Sequence, residues 1–167
     1  MFFDKIKINK KITQKKVIIA LIMIIFFYIG MRLPEKISIT TTSSLNKRIF
    51  YLSSPTKKFQ KGQYIMITMH NKYINNGQPA KVIKKIGCAE GDIITIKYKN
   101  HYFCNGNFLG IAKEYSKNGE KVENFIYEGV IPEDTYFVIG DNPDSYDSRY
   151  YGFIRRNEIE KIAYPIF

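Results

Sequence analysis

Two cysteines, Cys88 and Cys104, and two histidines, His70 and His101, are all that 167 residues offer in thiol and imidazole ligands. That is too little, at these separations, for a zinc or iron site to be read from the sequence. There is no glycine-rich nucleotide loop, no GxSxG elbow and no HExxH helix, which removes the common signatures of nucleotide binding, α/β-hydrolase chemistry and zinc proteolysis. No internal repeat is visible. The net charge of +11 raises nucleic acid as a partner, but residues 1–16 concentrate six lysines against Asp4 alone. Beyond them the charge is spread without a dense Lys/Arg block, so a nucleic-acid footprint is poorly supported and none is expected.

What is present is one long apolar run, Val17 to Met31, flanked by Lys15-Lys16 and Arg32. At helical rise it reaches about 22 Å, and snorkelling Lys and Arg ends together with Ile12 and Leu33 extend it toward the roughly 30 Å of a hydrocarbon core. A cleaved secretory signal wants small residues after the run, and Arg32-Leu33-Pro34-Glu35-Lys36 offers none. A buried helix is rarely apolar all round beside a Lys-rich tail. The expected organisation is therefore a basic cytoplasmic tail at 1–16, an uncleaved transmembrane anchor at 17–33 ended by Pro34, and an extracytoplasmic domain at 34–167, oriented by the positive-inside rule. On that side a disulfide is permitted. Two cysteines sixteen apart do not decide between a bridge and free thiols.

The outer segment has 45% hydrophobic and 15% aromatic composition behind it, counted over the whole chain, enough for one domain with a core. Apolar and β-branched runs read as strands at 63–69, 80–86, 93–98, 101–104, 135–139 and 163–167, while 36–42 reads as an extended strand or a lead-in and 49–52 as an apolar group. Lys99-Asn100 and Asn105-Gly106 read as tight hairpin turns. Residues 71–79 and 114–123 read as loops, and 155–162 as a short charged segment.

The densest chemistry follows the run Tyr136-Phe137-Val138-Ile139. Gly140 to Ile154, GDNPDSYDSRYYGFI, begins as a turn, where Gly and Asn tolerate positive φ. In an extended reading Ser145, Asp147 and Arg149 share one face, and Tyr146, Ser148 and Tyr150 the other. Asp147 and Arg149 at that spacing can form a forked ion pair that fixes a nearby hydroxyl. Upstream, in Ala80 to Ile86, alternation puts Lys84 on the side of Val82 and Ile86, a lysine pointed among apolar neighbours.

The stretch GDNPDSYDSRYYGFI resembles the last box of the type I signal peptidases, membrane-anchored Ser/Lys endopeptidases. Its shorter spacing and its Arg-Tyr-Tyr-Gly are closest to their TraF branch, the maturation peptidases of conjugative transfer. Two further stretches are similar in the same order. Thr42-Ser43-Ser44-Leu45-Asn46-Lys47-Arg48-Ile49-Phe50 resembles the nucleophile box, departing from it at Asn46 for Pro and at Arg48 for Gly. Lys84-Lys85 before Gly91-Asp92 resembles the Lys-Arg box that carries the base, with Lys85 for the usual Arg. A Lys61-Gly62-Gln63-Tyr64 turn is also like the TraF branch.

The resemblance implies a mainly β, antiparallel coiled-sheet, barrel-like fold carried on one N-terminal transmembrane helix. It implies Ser44 as nucleophile and Lys84 as general base, Ser145 orienting the lysine, Asp147 and Arg149 holding that loop, and Thr42 with the Ser44 backbone N–H stabilising the oxyanion. It needs no metal or organic cofactor. The implied partners are a membrane-tethered or secreted precursor, a pilin or a signal-peptide-bearing protein, and membrane lipid. The implied place is the bacterial inner (cytoplasmic) membrane, with the domain facing the periplasm or exterior. Ser44 stands eleven residues past Leu33, at most about 40 Å of extended chain, so the hydroxyl is expected to work near the bilayer. A housekeeping leader peptidase, or a degenerate homologue serving a secretion apparatus as an anchored structural component, remains an alternative, since Asn46 and Arg48 alter the nucleophile turn. A self-cleaving repressor lacks support, because no DNA-binding domain is present.

Overall fold

The protein is described by a computed structural model that covers residues 2–116 and 118–167, with side chains at 14–31, 36–75, 77–116 and 118–167. Met1 and Lys117 lie outside the described residues, as do the side chains of Lys5, Lys7, Lys10 and Lys11 in the basic tail and those of 32–35 beside the apolar run. The chain divides into two compact units, one through Ile37 and one from Ser38 to Phe167.

The first unit is a single helix, α1 (Phe2–Lys36), 35 residues long. Its segment Gln14–Met31 is long and apolar enough to cross a membrane. Pro34 was expected to end the helix, yet α1 continues two residues beyond it. A proline in a last turn forfeits its own N–H bond, and the turn still closes on the bonds around it.

The second unit is mainly β. Its first sheet has seven strands, in the order β1 (Ile37–Ile39), β2 (Ile49–Ser53), β11 (Ile159–Pro165), β3 (Tyr64–Met69), β4 (Ala80–Cys88), β9 (Thr135–Ile139) and β10 (Ile154–Arg155). Its second sheet has four, in the order β7 (Asn107–Ile111), β6 (His101–Cys104), β5 (Ile93–Lys97) and β8 (Gly129–Val130). The pairings from β2 to β10 and throughout the second sheet are antiparallel. Both sheets have free edges, so the barrel-like closure expected above does not occur. The rest of the fold-class expectation, antiparallel and mainly β, agrees with what is seen.

Strand β3 shows why the first sheet is specified so firmly. Ile65 and Ile67 enter a buried cluster with Ile86, Tyr136 and Val138, while Met66 between them enters another with Leu45, Phe50, Ile83 and Ala163. Alternate side chains thus bury on opposite faces, and a one-residue slip would exchange them. The second cluster also matters for the site. Leu45 and Ile83 are neighbours in it, so their chain neighbours Ser44 and Lys84 are carried to one place.

A third cluster joins the two sheets. Cys88 of β4 and Cys104 of β6, both fully buried, form a disulfide with Cα atoms 5.7 Å apart, packed with Ile94, Tyr102, Ile131 and Phe137. The thiol question left open by spacing is answered by this pairing. Two turns deserve note. Asn105 and Gly106 take the left-handed φ that a tight hairpin demands, whereas between β5 and β6 it is Tyr98 and Lys99, not Lys99 and Asn100, that do so. Asn100 is used instead as a clip, donating its side-chain N–H to the Ala112 carbonyl at 3.0 Å.

Replacing both Cys88 and Cys104 with serine is expected to lower unfolding free energy by about 2–4 kcal/mol. Urea midpoints of wild type and variant should coincide once the wild type is fully reduced.

Candidate active site

Lys84 sits in the middle of β4, opposite Ile65 of β3, and only 3% of it is exposed. A lysine at a central strand position flanked by Ile83 and facing the Ile86 side cannot reach water by lengthening its stem. Its Nζ donates to the Ser145 hydroxyl at 2.7 Å. Burial pushes its pKa from 10.5 down to about 8; the Asp147 carboxylate opposes that shift and the Arg149 guanidinium adds to it.

Ser145, Asp147 and Arg149 are all buried beside it. Arg149 donates through Nε to Asp147 Oδ1 and through Nη2 to Oδ2, each at 2.8 Å, which is the fork read from the sequence. Two details differ from an extended strand. Asp147 caps a single helical turn, α2 (Ser148–Tyr151), accepting from the Arg149 N–H, and Ser148, read on the face opposite Asp147, is fully buried like it, with its hydroxyl accepting from the Val138 N–H at 2.9 Å. The remaining Arg149 donors reach the Ile111 carbonyl at 2.7 Å and the Ser145 carbonyl at 3.2 Å. The guanidinium therefore ties the loop to the end of β7, and it fixes Ser145 by its backbone rather than its hydroxyl.

Ser44 lies in the loop between β1 and β2. Its hydroxyl shares a 3.3 Å hydrogen bond with that of Thr42. Among the described residues Ser44 and Lys84 share no hydrogen bond, yet both line one pocket of about 260 Å³ together with Thr42 and Ser145. All four are brought together as the sequence pattern predicts, with Asp147 and Arg149 behind them.

What sequence reasoning missed is how the Ser44 loop is held. The Asn142 N–H donates to the Ser44 carbonyl at 3.2 Å, and its side chain donates to the Ser43 carbonyl at 3.1 Å. The Asn46 N–H donates to Asp141 Oδ2 at 3.0 Å, a bond that proline at this position could not make. The Gly-Asp-Asn triplet is thus a clamp on the Ser44 loop. Its glycine does not take a left-handed φ; it is there because a Cβ at Gly140 would lie 2.2 Å from Ser145 Oγ and 2.6 Å from the Ser44 carbonyl oxygen. The triplet was visible as a turn signal, but nothing in it announces which carbonyls it binds.

Three segments, a serine loop, a buried lysine strand and a capped Ser-x-Asp-x-Arg turn, meet around one pocket, the same three stretches that carry the sequence resemblance. The model of the family described as signal peptidase, peptidase S26, matches residues 10–166. The chain belongs to that family. Among the relatives of this S26 chain, signal peptidase I of Aquifex aeolicus (strain VF5) is 48% identical over 58 residues, 34% of this chain and 21% of that protein. The match therefore spans about a fifth of that relative's length. A crystal structure of a signal peptidase I from Enterococcus faecalis V583 is 28% identical, covering 64% of this chain and 97% of that one with a TM-score of 0.39.

Two outcomes test the site. Gly140→Ala is expected to push Ser145 and the Ser44 carbonyl apart and cost about 2–4 kcal/mol of stability, measured by thermal unfolding. Lys84→Met removes an amine whose charged form is disfavoured by burial, so it is expected to raise stability at pH 7 by roughly 1–3 kcal/mol. Between pH 8 and 10.5 the unfolded lysine binds a proton that the folded one has lost, so wild-type stability climbs with pH there. The advantage of the methionine should shrink across that window in paired denaturation curves.

Proposed function

We propose that this chain is a membrane-anchored serine endopeptidase in which the Ser44 hydroxyl attacks a peptide carbonyl and Lys84 takes its proton. The observation that carries the reading is the lysine: an amine with 3% exposure, brought down to about 8 by burial, in the same pocket as Ser44. At neutral pH a group with that pKa is uncharged about a tenth of the time, roughly a few hundredfold more than an exposed lysine. It can therefore serve as a base toward a hydroxyl and afterwards as the acid toward the leaving amine.

The 2.7 Å bond to Ser145 aims the amine and leaves its lone pair, once the proton is lost, for Ser44. Bound substrate would expel water from the pocket, which favours the neutral amine further. The Thr42 hydroxyl and the Ser44 N–H would donate to the oxyanion, each worth about 3 kcal/mol of barrier in such a role. The forked Asp147–Arg149 pair keeps the Ser145 loop still. With an amine as base and hydrogen-bond donors for the oxyanion, the proposed chemistry calls on no metal ion or organic cofactor.

The helix α1 gives the domain a means of anchoring in the inner membrane, with the basic tail on the cytoplasmic side and the catalytic domain outside. The substrate is then a precursor tethered to or emerging from that membrane. The compact spacing of the Gly140–Ile154 stretch and its Arg149-Tyr150-Tyr151-Gly152 favour the TraF branch, hence pilin-type precursors of conjugative transfer over leader peptides in general. Asn46 in place of proline does not argue for a degenerate site, since its N–H is pinned to Asp141.

On a membrane-tethered precursor co-expressed with the full chain, Ser44→Ala and Lys84→Ala are expected to reduce processing by at least about a thousandfold, and Thr42→Val by about a hundredfold. Equal processing by wild type, Ser44→Ala and Lys84→Ala would sink the peptidase reading in favour of a structural component. Because the base acts only when neutral, kcat/KM should rise with pH through about 8 and then level off.

A further inference from the structure

The pocket that holds Ser44 adjoins a second, larger cleft of about 450 Å³. Tyr73, Asp144 and Tyr146 line both, so the two spaces share a wall. Tyr73, Tyr115, Tyr146 and Tyr150 stand in the lining of the larger one. Tyr146 has the Tyr150 ring stacked 5.2 Å away on one side and the Tyr73 ring tilted 5.1 Å away on the other.

These rings are held by their hydroxyls. The Asn71 side chain donates to the Tyr146 hydroxyl at 3.2 Å, the Lys113 N–H donates to that of Tyr150 at 2.9 Å, and the Tyr73 hydroxyl donates to the Lys121 carbonyl at 3.4 Å. The ring faces are largely taken by one another, by Lys72 over Tyr73 and by Arg149 over Tyr150, so what the tyrosines offer a visitor is ring edge, set among the polar side chains of Ser116 and Asn118. Its charges come in opposed pairs, Lys72 with Glu120 at 3.8 Å and Lys113 with Asp144. A cationic visitor would meet Lys72, which already lies 4.7 Å over the Tyr73 ring. Aromatic rings favour tilted and offset partners at about 4.5–7 Å, and the cleft volume falls in the roughly 300–1,000 Å³ range of ligand sites.

We propose that this cleft is a subsite that takes an aromatic side chain of the precursor, a short distance along the chain from the bond cut at Ser44. The inference rests on the peptidase reading above for the identity of its occupant. The occupant is the substrate polypeptide because the cleft lies against the catalytic pocket, with Tyr73, Asp144 and Tyr146 lining both. Specificity here would come from contact with the tyrosine ring edges, separately from whatever fits beside Ser44 itself.

The test uses the full-length chain in detergent, as wild type, Tyr146→Leu and Ser44→Ala, with Tyr146→Leu first shown to unfold at the wild-type temperature; if it does not, Tyr150→Leu replaces it. Saturation-transfer NMR with N-acetylphenylalaninamide and N-acetylalaninamide as probes is expected to give tighter binding of the aromatic amide. That binding should weaken by about three- to tenfold in the Tyr→Leu variant and be unchanged in Ser44→Ala. Cleavage of a mixed peptide library by wild type should then show an aromatic residue enriched at one fixed position relative to the cut, with the enrichment lost in the Tyr→Leu variant. Equal binding of the two amides, binding indifferent to the tyrosine, or cleavage without aromatic enrichment would overturn the subsite and leave the peptidase reading intact. Tyrosine-dependent binding with no Ser44-dependent cleavage of any peptide would instead retire the peptidase reading, and with it the precursor as occupant.

Discussion

An amine that must lose its proton near neutral pH has to be kept from water and from uncompensated negative charge at the same time. Lys84 meets both conditions. Burial in β4 disfavours its charged form, and the carboxylate close enough to restore it, Asp147, is already bound by both sides of the Arg149 fork. Were Asp147 present without that guanidinium, the lysine would gain an ion-pair partner and stay charged. The buried ion pair is thus better understood as a device that neutralises itself next to the amine than as a source of stability, in line with the small net worth of such pairs.

Around that amine the two sheets divide the work. The seven-stranded sheet supplies the lysine and the hydrophobic floor; the four-stranded one supplies, through the Ile111 carbonyl, a fixed point for Arg149. Between them the 140–149 loop binds outward in both directions. It holds the serine loop by Asp141 and Asn142, and the lysine by Ser145. Gly110 shows how close this packing is, since a Cβ there would stand 2.8 Å from Arg149 Nη1. The chemistry of the site is therefore positioned by three chain segments that touch one another directly.

Much of this was legible in the sequence. Strand alternation pointed Lys84 at the core side, the Asp147–Arg149 spacing gave the fork, and Ser44 and Thr42 stood two apart before an apolar residue, Leu45, that does anchor the loop. What was not legible depended on contacts distant in the chain. Gly140 looked like a turn glycine because conformational freedom is the usual reason for the residue, whereas the deciding fact was the arrival of Ser44 from the far end of the domain. The one-turn helix α2 is too short to leave a periodic signal, so an extended reading of 145–150 was natural and misplaced Ser148. Pro34 was overweighted as a stop, since a breaker in a last turn removes little. Whether Cys88 and Cys104 pair is set by how β4 crosses the second sheet, and spacing alone carries no trace of that.

Strand β4 bears both the buried Lys84 nitrogen and, four positions on at its end, a sulfur bonded to the opposite sheet. One ribbon of backbone is therefore both the mount for the amine and the strut that joins the layers. Opening that bond would free the end of the strand from the other sheet only four residues from the amine.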